Sequence, residues 1–169
     1  MPWFALQVKA QFENVNNLRP VDDSYRIFCK VKCTSCQEEH PNWVTITKNE
    51  SADLSGSRGQ ANLVMRCQFC KKESSAKFDE PTAKNPTFRV YEVPDSSAPD
   101  FQTLCQIEFR GLEPVLFQPD PDSYFACDST SSKSKFTEVQ FEDGEWMDYD
   151  EAGSTEVSIM DFETRWKRA

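Results

Sequence analysis

Apolar and polar residues alternate with a period of two along most of the chain, the spacing of a strand with one face in a core and the other in water. At the start, Phe4, Leu6, Val8, Ala10 and Phe12 fall on one face, while Gln7, Lys9 and Gln11 fall on the other. The same alternation predicts strands over 25–32, 42–47, 61–67, 74–79, 87–93, 103–110, 135–141 and 155–164. No segment shows the 3.6-residue apolar spacing of an amphipathic helix. Stretches rich in Pro, Gly, Asn and Ser at 14–20, 51–60, 94–99, 118–122 and 128–134 read as breaks between strands. The run Asp128 to Ser134 reads as a mobile loop, and Pro94 to Pro99 as the joint between two halves.

The fold class this pattern predicts is all-β, with antiparallel strands in two loosely similar halves arranged as a sandwich or pseudo-barrel. A chain of 169 residues is long enough to bury one core. The expected organisation is therefore a single domain over 1–169, with a first half at 1–94 and a second at 100–169. A faint internal echo accompanies the halves. The strand ending at Phe12 leads to Leu18-Arg19-Pro20-Val21, and the strand ending at Phe109 leads to Leu112-Glu113-Pro114-Val115. If the echo reflects duplication, the cysteine turns of the first half are an insertion in one copy only.

Those turns carry the most specific chemistry. Cys33-Thr34-Ser35-Cys36 and Cys67-Gln68-Phe69-Cys70 each follow a strand-like run, 25–32 and 62–66, giving the strand, knuckle, strand layout of a zinc ribbon. Each pair puts two sulfurs on one tight turn, and two facing turns supply four thiolates at the corners of a tetrahedron around one Zn²⁺ per chain. Catalytic zinc keeps a position for water, whereas four cysteines close the shell, so a structural site is expected. Such sites are worth about 10–16 kcal/mol in small finger peptides. Redox Cys-x-x-Cys pairs sit singly at helix starts, unlike these two at strand turns. Seven cysteines is an odd number, and with no charged-then-apolar leader the paired spacing favours zinc over a disulfide framework.

The remaining thiols divide by context. Cys29 and Cys105 lie on strand faces among apolar residues and are expected in the core. Cys127, beside the Ser-rich run, is expected to be exposed. The one histidine, His40, follows Cys36 closely and reads as a supporting or solvent-facing group beside the metal rather than a ligand. Arg58, in Ser55-Gly56-Ser57-Arg58-Gly59-Gln60, belongs either to a hairpin loop that needs glycine or to an anion or partner contact. No Gly-rich phosphate loop, nucleophile elbow or carboxylate pair with a partner base is present, so no catalytic residue and no enzyme activity are expected.

The net charge of −9 is unevenly placed. Residues 26–77 hold nine Lys/Arg against five Asp/Glu, and residues 78–169 hold eight against twenty. Zinc with four thiolates carries about −2, which halves the basic excess of the first region and argues against a nucleic-acid partner. The stretch 136–164 contains ten Asp/Glu and no Lys/Arg, with aromatics interleaved. Within it, Trp146, Asp148, Tyr149 and Asp150 form either an anchored turn or a recognition surface for a basic partner. With no apolar run of about 18 residues, no membrane association is expected, and the protein is expected to be cytoplasmic and monomeric.

Further segments tie the cysteines to a wider pattern. These are Leu6-Gln7-Val8-Lys9-Ala10, Glu13-Asn14-Val15, Asn17-Leu18-Arg19-Pro20, Arg58 to Val64, Glu108 to Val115 and Trp146-Met147-Asp148-Tyr149-Asp150-Glu151. Across almost its whole length the chain thereby resembles the eukaryotic CXXC-motif-containing zinc-binding proteins. The resemblance implies an all-β, soluble, monomer-sized protein that binds one zinc through Cys33, Cys36, Cys67 and Cys70 and has no established catalytic activity. Gln37 and Lys71 depart from the glycine that many knuckles place after each pair. The function expected from these readings is a zinc-dependent scaffold or adaptor for a protein partner. The alternative is a metal-handling protein that exchanges zinc or copper(I) through its thiolates.

Overall fold

The computed structural model describes residues 3–56, 58–81, 86–94 and 98–169. Its strands are β1 (Trp3–Glu13), β2 (Val15–Pro20), β3 (Ile27–Cys33), β4 (Val44–Ile46), β5 (Ala52–Asp53), β6 (Gln60–Ala61), β7 (Leu63–Arg66), β8 (Glu73–Phe78), β9 (Gln102–Arg110), β10 (Leu112–Gln118), β11 (Phe125–Ser129), β12 (Lys135–Val139), β13 (Trp146–Asp150) and β14 (Thr155–Arg168). No helix occurs among the described residues, and every strand ladder is antiparallel. The all-β expectation is met.

A six-stranded sheet runs in the order β13-β14-β1-β9-β8-β7. Two three-stranded sheets, β10-β3-β4 and β12-β11-β2, and the small β5-β6 hairpin complete the pairing. Exchanging β1 with β9, β2 with β10, β3 with β11, β4 with β12, β7 with β13 and β8 with β14 turns this pattern into itself. The six-stranded order reverses, and each three-stranded sheet becomes the other. The exchange is interlocked, because β2 pairs with β11 and β10 pairs with β3, so each small sheet takes strands from both halves of the chain.

Local chemistry explains how the chain makes the hand-over twice. β1 passes to β2 through Asn14 alone, and β9 passes to β10 through Gly111 alone; both residues hold positive φ, 61° and 78°. A single left-handed residue redirects the strand out of the long sheet, and Gly and Asn are the residues that tolerate this conformation. Pro20 and Pro114 then lie in strands at sheet edges, where the missing N–H removes no ladder bond. The Leu-x-Pro-Val echo falls on these two edge strands but in different registers, Leu112 directly after Gly111 and Leu18 four residues after Asn14, so it is not a trace of the exchange.

The alternating faces meet in one core. Leu6, Val8, Ile107, Phe109 and Ile159 from the long sheet cluster with Ile27, Cys29, Val31, Ile46, Phe125, Cys127 and Val139 from the small ones. Phe109 packs edge-on to Phe4 and Trp166, with ring centroids 5.7 Å away in each case.

Several expectations need correction. The segment 87–93 is not a strand: Arg89 donates to Leu104, while Tyr91 forms an isolated bridge with Leu18, so its backbone crosses between sheets instead of following one. The segment 14–20, read as a break, contains β2. The Ser-rich run is built into a hydrogen-bonded loop, with Ser131 and Ser132 N–H donating to Ser129 Oγ and Ser132 Oγ donating to Asp150. Cys127 is fully buried, because β11 lies between β2 and β12, and burial pushes its thiol up to about 12. Cys29 and Cys105 are buried in the core as expected. Of the joint proposed at Pro94 to Pro99, residues 95–97 lie outside the described residues.

Candidate metal centre

Two hairpins deliver the four sulfurs. β3 ends at Cys33, and the chain turns through Thr34, Ser35 and Cys36 before Glu39 bridges back to Lys32. β7 ends at Arg66, the turn runs from Cys67 to Cys70, and β8 begins at Glu73. The turns share one backbone frame. Gln37 N–H donates to Cys33 O at 2.9 Å and Cys33 N–H to Glu38 O at 3.0 Å, while Lys71 N–H donates to Cys67 O at 2.9 Å and Cys67 N–H to Lys72 O at 3.0 Å.

The residue after each pair closes the frame in the left-handed region, with φ 65° at Gln37 and 67° at Lys71. An L-residue there costs about 1–2 kcal/mol relative to glycine. Both residues use their side chains in the same way: Gln37 Nε2 donates to Thr34 O and Lys71 Nζ to Gln68 O, each at 2.7 Å. The departure from glycine therefore keeps glycine's geometry and adds a cap on the carbonyl three residues back.

The four Sγ atoms lie within 4.8 Å of one another. Cys33 and Cys70 sulfurs are 3.7 Å apart, and those of Cys36 and Cys67 are 3.6 Å apart. A tetrahedron with zinc–sulfur bonds of about 2.3 Å has sulfurs about 3.8 Å apart, so the two pairs that cross between the hairpins already stand at the spacing Zn²⁺ requires. Cys33 and Cys67 are buried, and Cys36 and Cys70 half-buried.

Amides pointing at the sulfurs favour thiolate. The Cys36 and Ser35 N–H groups lower the Cys33 thiol. The Cys70 and Phe69 N–H groups lower Cys67 to about 6, the Phe69 nitrogen standing 3.4 Å from its sulfur. At Cys36 the Glu38 N–H acts in the same direction, but desolvation and the sulfurs of Cys67, Cys33 and Cys70 outweigh it and push the thiol up to about 12. Four adjacent sulfurs cannot all hold negative charge alone; a divalent cation removes that conflict. When bound, zinc supplies a closed tetrathiolate cross-link with no place for a reacting water.

A third element locks the hairpins. Gly111 O accepts from Thr34 N–H at 3.1 Å and lies 3.3 Å from Ser74 Oγ, so the β9–β10 turn ties the first knuckle to β8. A Cβ at Gly111 would stand 2.8 Å from Ser74 Oγ. The run from Arg110 to Pro114 carries much of the sequence resemblance, yet its role depends on contacts distant in sequence.

The other singled-out residues are spread over the molecule. His40 is half-buried beside the knuckles; it borders a small cleft with Cys33, Cys67, Met65 and Phe69, and its Nδ1 lies 2.9 Å from Asn42 O. Arg58 is exposed next to the β5–β6 hairpin. Trp146, Asp148, Tyr149 and Asp150 lie on β13, at the opposite edge of the long sheet from β7. Trp146 is half-buried against Phe136, Asp148 and Tyr149 are exposed, and Asp150 is buried. Asp150 Oδ2 accepts from Ser129 Oγ at 2.5 Å and Ser132 Oγ at 2.7 Å.

Known proteins are similar to this chain over most of its length. The family model described as CXXC motif containing zinc binding protein, eukaryotic, matches residues 5–167. A protein of that name from Xenopus laevis is 38% identical over 165 residues, spanning 98% of each chain, and one from Mus musculus is 38% identical over 157 residues, 93% of this chain and 92% of its own. The crystal structure of C1orf123 superposes with a TM-score of 0.84 at 34% identity, covering 99% of both chains. With the cysteine quartet in place and the match running almost end to end, the chain belongs to the eukaryotic family of CXXC motif containing zinc binding proteins.

Proposed function

We propose that this protein is a non-enzymatic scaffold in which one structural Zn(Cys)₄ site per chain holds the first half in shape while a surface on the second half binds a basic protein segment. The observation that carries this reading is on β13. Met147 and Tyr149, two residues apart on this strand, are 69% and 50% exposed. They share a shallow surface depression with Glu13, Asp148 and Glu156, so apolar area and carboxylates are interleaved. An aromatic–carboxylate mixture of this kind suits Lys- and Arg-rich chain, through charge and through packing of the long aliphatic stems. On this reading the protein acts as a cytoplasmic monomer, with neither membrane nor nucleic acid as its partner.

The experiment is affinity capture at physiological salt with zinc-loaded parent and with a Met147→Ala/Tyr149→Ala variant as baits. The parent is expected to retain a specific protein that the variant loses. Equal recovery by both baits, or none by either, contradicts the assignment.

A second reading, exchange of zinc or copper(I) with other proteins, is favoured by one feature: the sulfurs of Cys36 and Cys70 belong to half-buried residues. It requires transfer of metal to a stoichiometric acceptor within seconds to minutes while the protein stays folded. Retention of zinc over hours against such an acceptor removes it.

A further inference from the structure

The exchange of strands that relates the two halves also relates two sets of loops. The turn after β3 corresponds to the loop after β11, and the β7–β8 turn corresponds to the β13–β14 turn. The match extends to individual bonds. Cys33 N–H donates to Glu38 O at 3.0 Å, and Ser129 N–H donates to Ser134 O at 2.9 Å, five residues on in both cases. Thr34 N–H donates to Gly111 O at 3.1 Å, and Thr130 N–H donates to Asn14 O at 3.0 Å, Gly111 and Asn14 being the two equivalent hand-over residues. Lys71 closes the β7–β8 turn with φ 67°, and Ser154 closes the β13–β14 turn with φ 50°.

These registers place Ser129 and Ser132 where Cys33 and Cys36 stand, and Asp150 and Gly153 where Cys67 and Cys70 stand. The contacts agree. Amides of Ser35 and Cys36 act on the Cys33 sulfur, and those of Ser131 and Ser132 donate to Ser129 Oγ at 3.0 and 3.1 Å. The Glu38 amide acts on the Cys36 sulfur, and the Ser134 amide donates to Ser132 Oγ at 3.1 Å. The Cys70 amide acts on the Cys67 sulfur, and the Gly153 amide donates to Asp150 Oδ1 at 3.1 Å. Gly153 leaves room for the carboxylate, since a Cβ there would stand 2.6 Å from Asp150 Oδ2.

We propose that the loops 129–134 and 150–154 are a second, metal-free copy of the zinc site, in which the Asp150 carboxylate replaces the ion as the centre of the cross-link. The negative charge that four cysteines share with zinc is here a single carboxylate, met by two hydroxyls and an amide. The knuckles are therefore not an insertion in one half, as the sequence suggests, but one of two chemistries at equivalent positions. Cysteine at all four second-half positions turns this copy into a Zn²⁺ site.

The test is the zinc content of the full chain carrying Ser129→Cys, Ser132→Cys, Asp150→Cys and Gly153→Cys. Two zinc per folded chain is expected; a folded variant that still holds one overturns the equivalence. Ser131 Cβ would lie 3.0 Å from a Cβ at position 153 and must give slightly, so a measurement independent of that variant is paired with it. In zinc-loaded Asp150→Ala, hydrogen exchange at the Ser131, Ser132 and Gly153 amides is expected to rise at least tenfold, with the Gln37 and Lys71 amides unchanged. Unchanged exchange at the first three, or equal acceleration at all five, overturns the proposal.

Discussion

Gly111 sits where a side chain does not fit. Its φ of 78° favours glycine, its carbonyl takes the Thr34 amide, and a Cβ would press on Ser74 Oγ. Gly111→Ala is expected to lower stability by about 1–3 kcal/mol, read from denaturant unfolding of the zinc-loaded protein. Gln37 presents the opposite case, a non-glycine residue in the left-handed region whose side chain returns a hydrogen bond to Thr34 O. Gln37→Gly exchanges that bond for relief of strain and is expected to stay within about 1 kcal/mol of the parent, whereas Gln37→Val loses both and costs about 1–2 kcal/mol or more. At this scale the metal ligands were legible, because Cys-x-x-Cys spacing encodes a local turn. Gly111 and Asp150 were not, since each acts through partners far away in sequence.

Among the elements, alternation located the strands whose two faces differ, such as β1, β3, β9 and β14. It failed where special residues stand at hand-overs. β2 and β10 contain Pro, follow Asn14 or Gly111, and so carry the signals of a break although they are edge strands. β13 and the Ser-rich loop were masked by composition: acidic and serine residues suggest solvent, but Asp150 is buried and gathers the loop around itself. Hydrogen bonds from Ser129, Ser132 and the Gly153 amide hold the Asp150 carboxyl at about 2, below its ordinary 3.8. A depressed acid contributes stability that is complete above pH of about 4 and is lost as pH falls towards 2. The stability difference between parent and Asp150→Asn should accordingly be constant above pH 4 and shrink below it. Acid release of zinc affects both proteins alike, so a difference that stays flat down to pH 2 would contradict this assignment.

For the whole molecule, the interlocked small sheets make the halves interdependent, because β2 completes the sheet of β11 and β10 completes that of β3. Zinc held by the four cysteines would cross-link β3 to the β7–β8 hairpin, and Gly111 ties the first knuckle to β8 at the start of β10. Chelation is therefore expected to lower the thermal midpoint by more than about 10 °C, a loss of more than about 3 kcal/mol for a chain of this size. A shift of a degree or two would confine the metal to a local role. The all-β class and the cysteine quartet could be read from sequence alone, whereas the twofold exchange of strands could not, because it rests on pairings distant in sequence and the two Leu-x-Pro-Val segments stand at different registers in β2 and β10.

A closed tetrathiolate zinc site beside three core thiols has a direct consequence for protein purified without added metal. Zinc content is measured together with the number of thiols that become reactive on chelation under native conditions. One zinc per chain and four newly reactive thiols are expected, those of Cys33, Cys36, Cys67 and Cys70, while Cys29, Cys105 and Cys127 stay buried. Folded protein without zinc, or a chelation step that exposes fewer than four thiols, would contradict it.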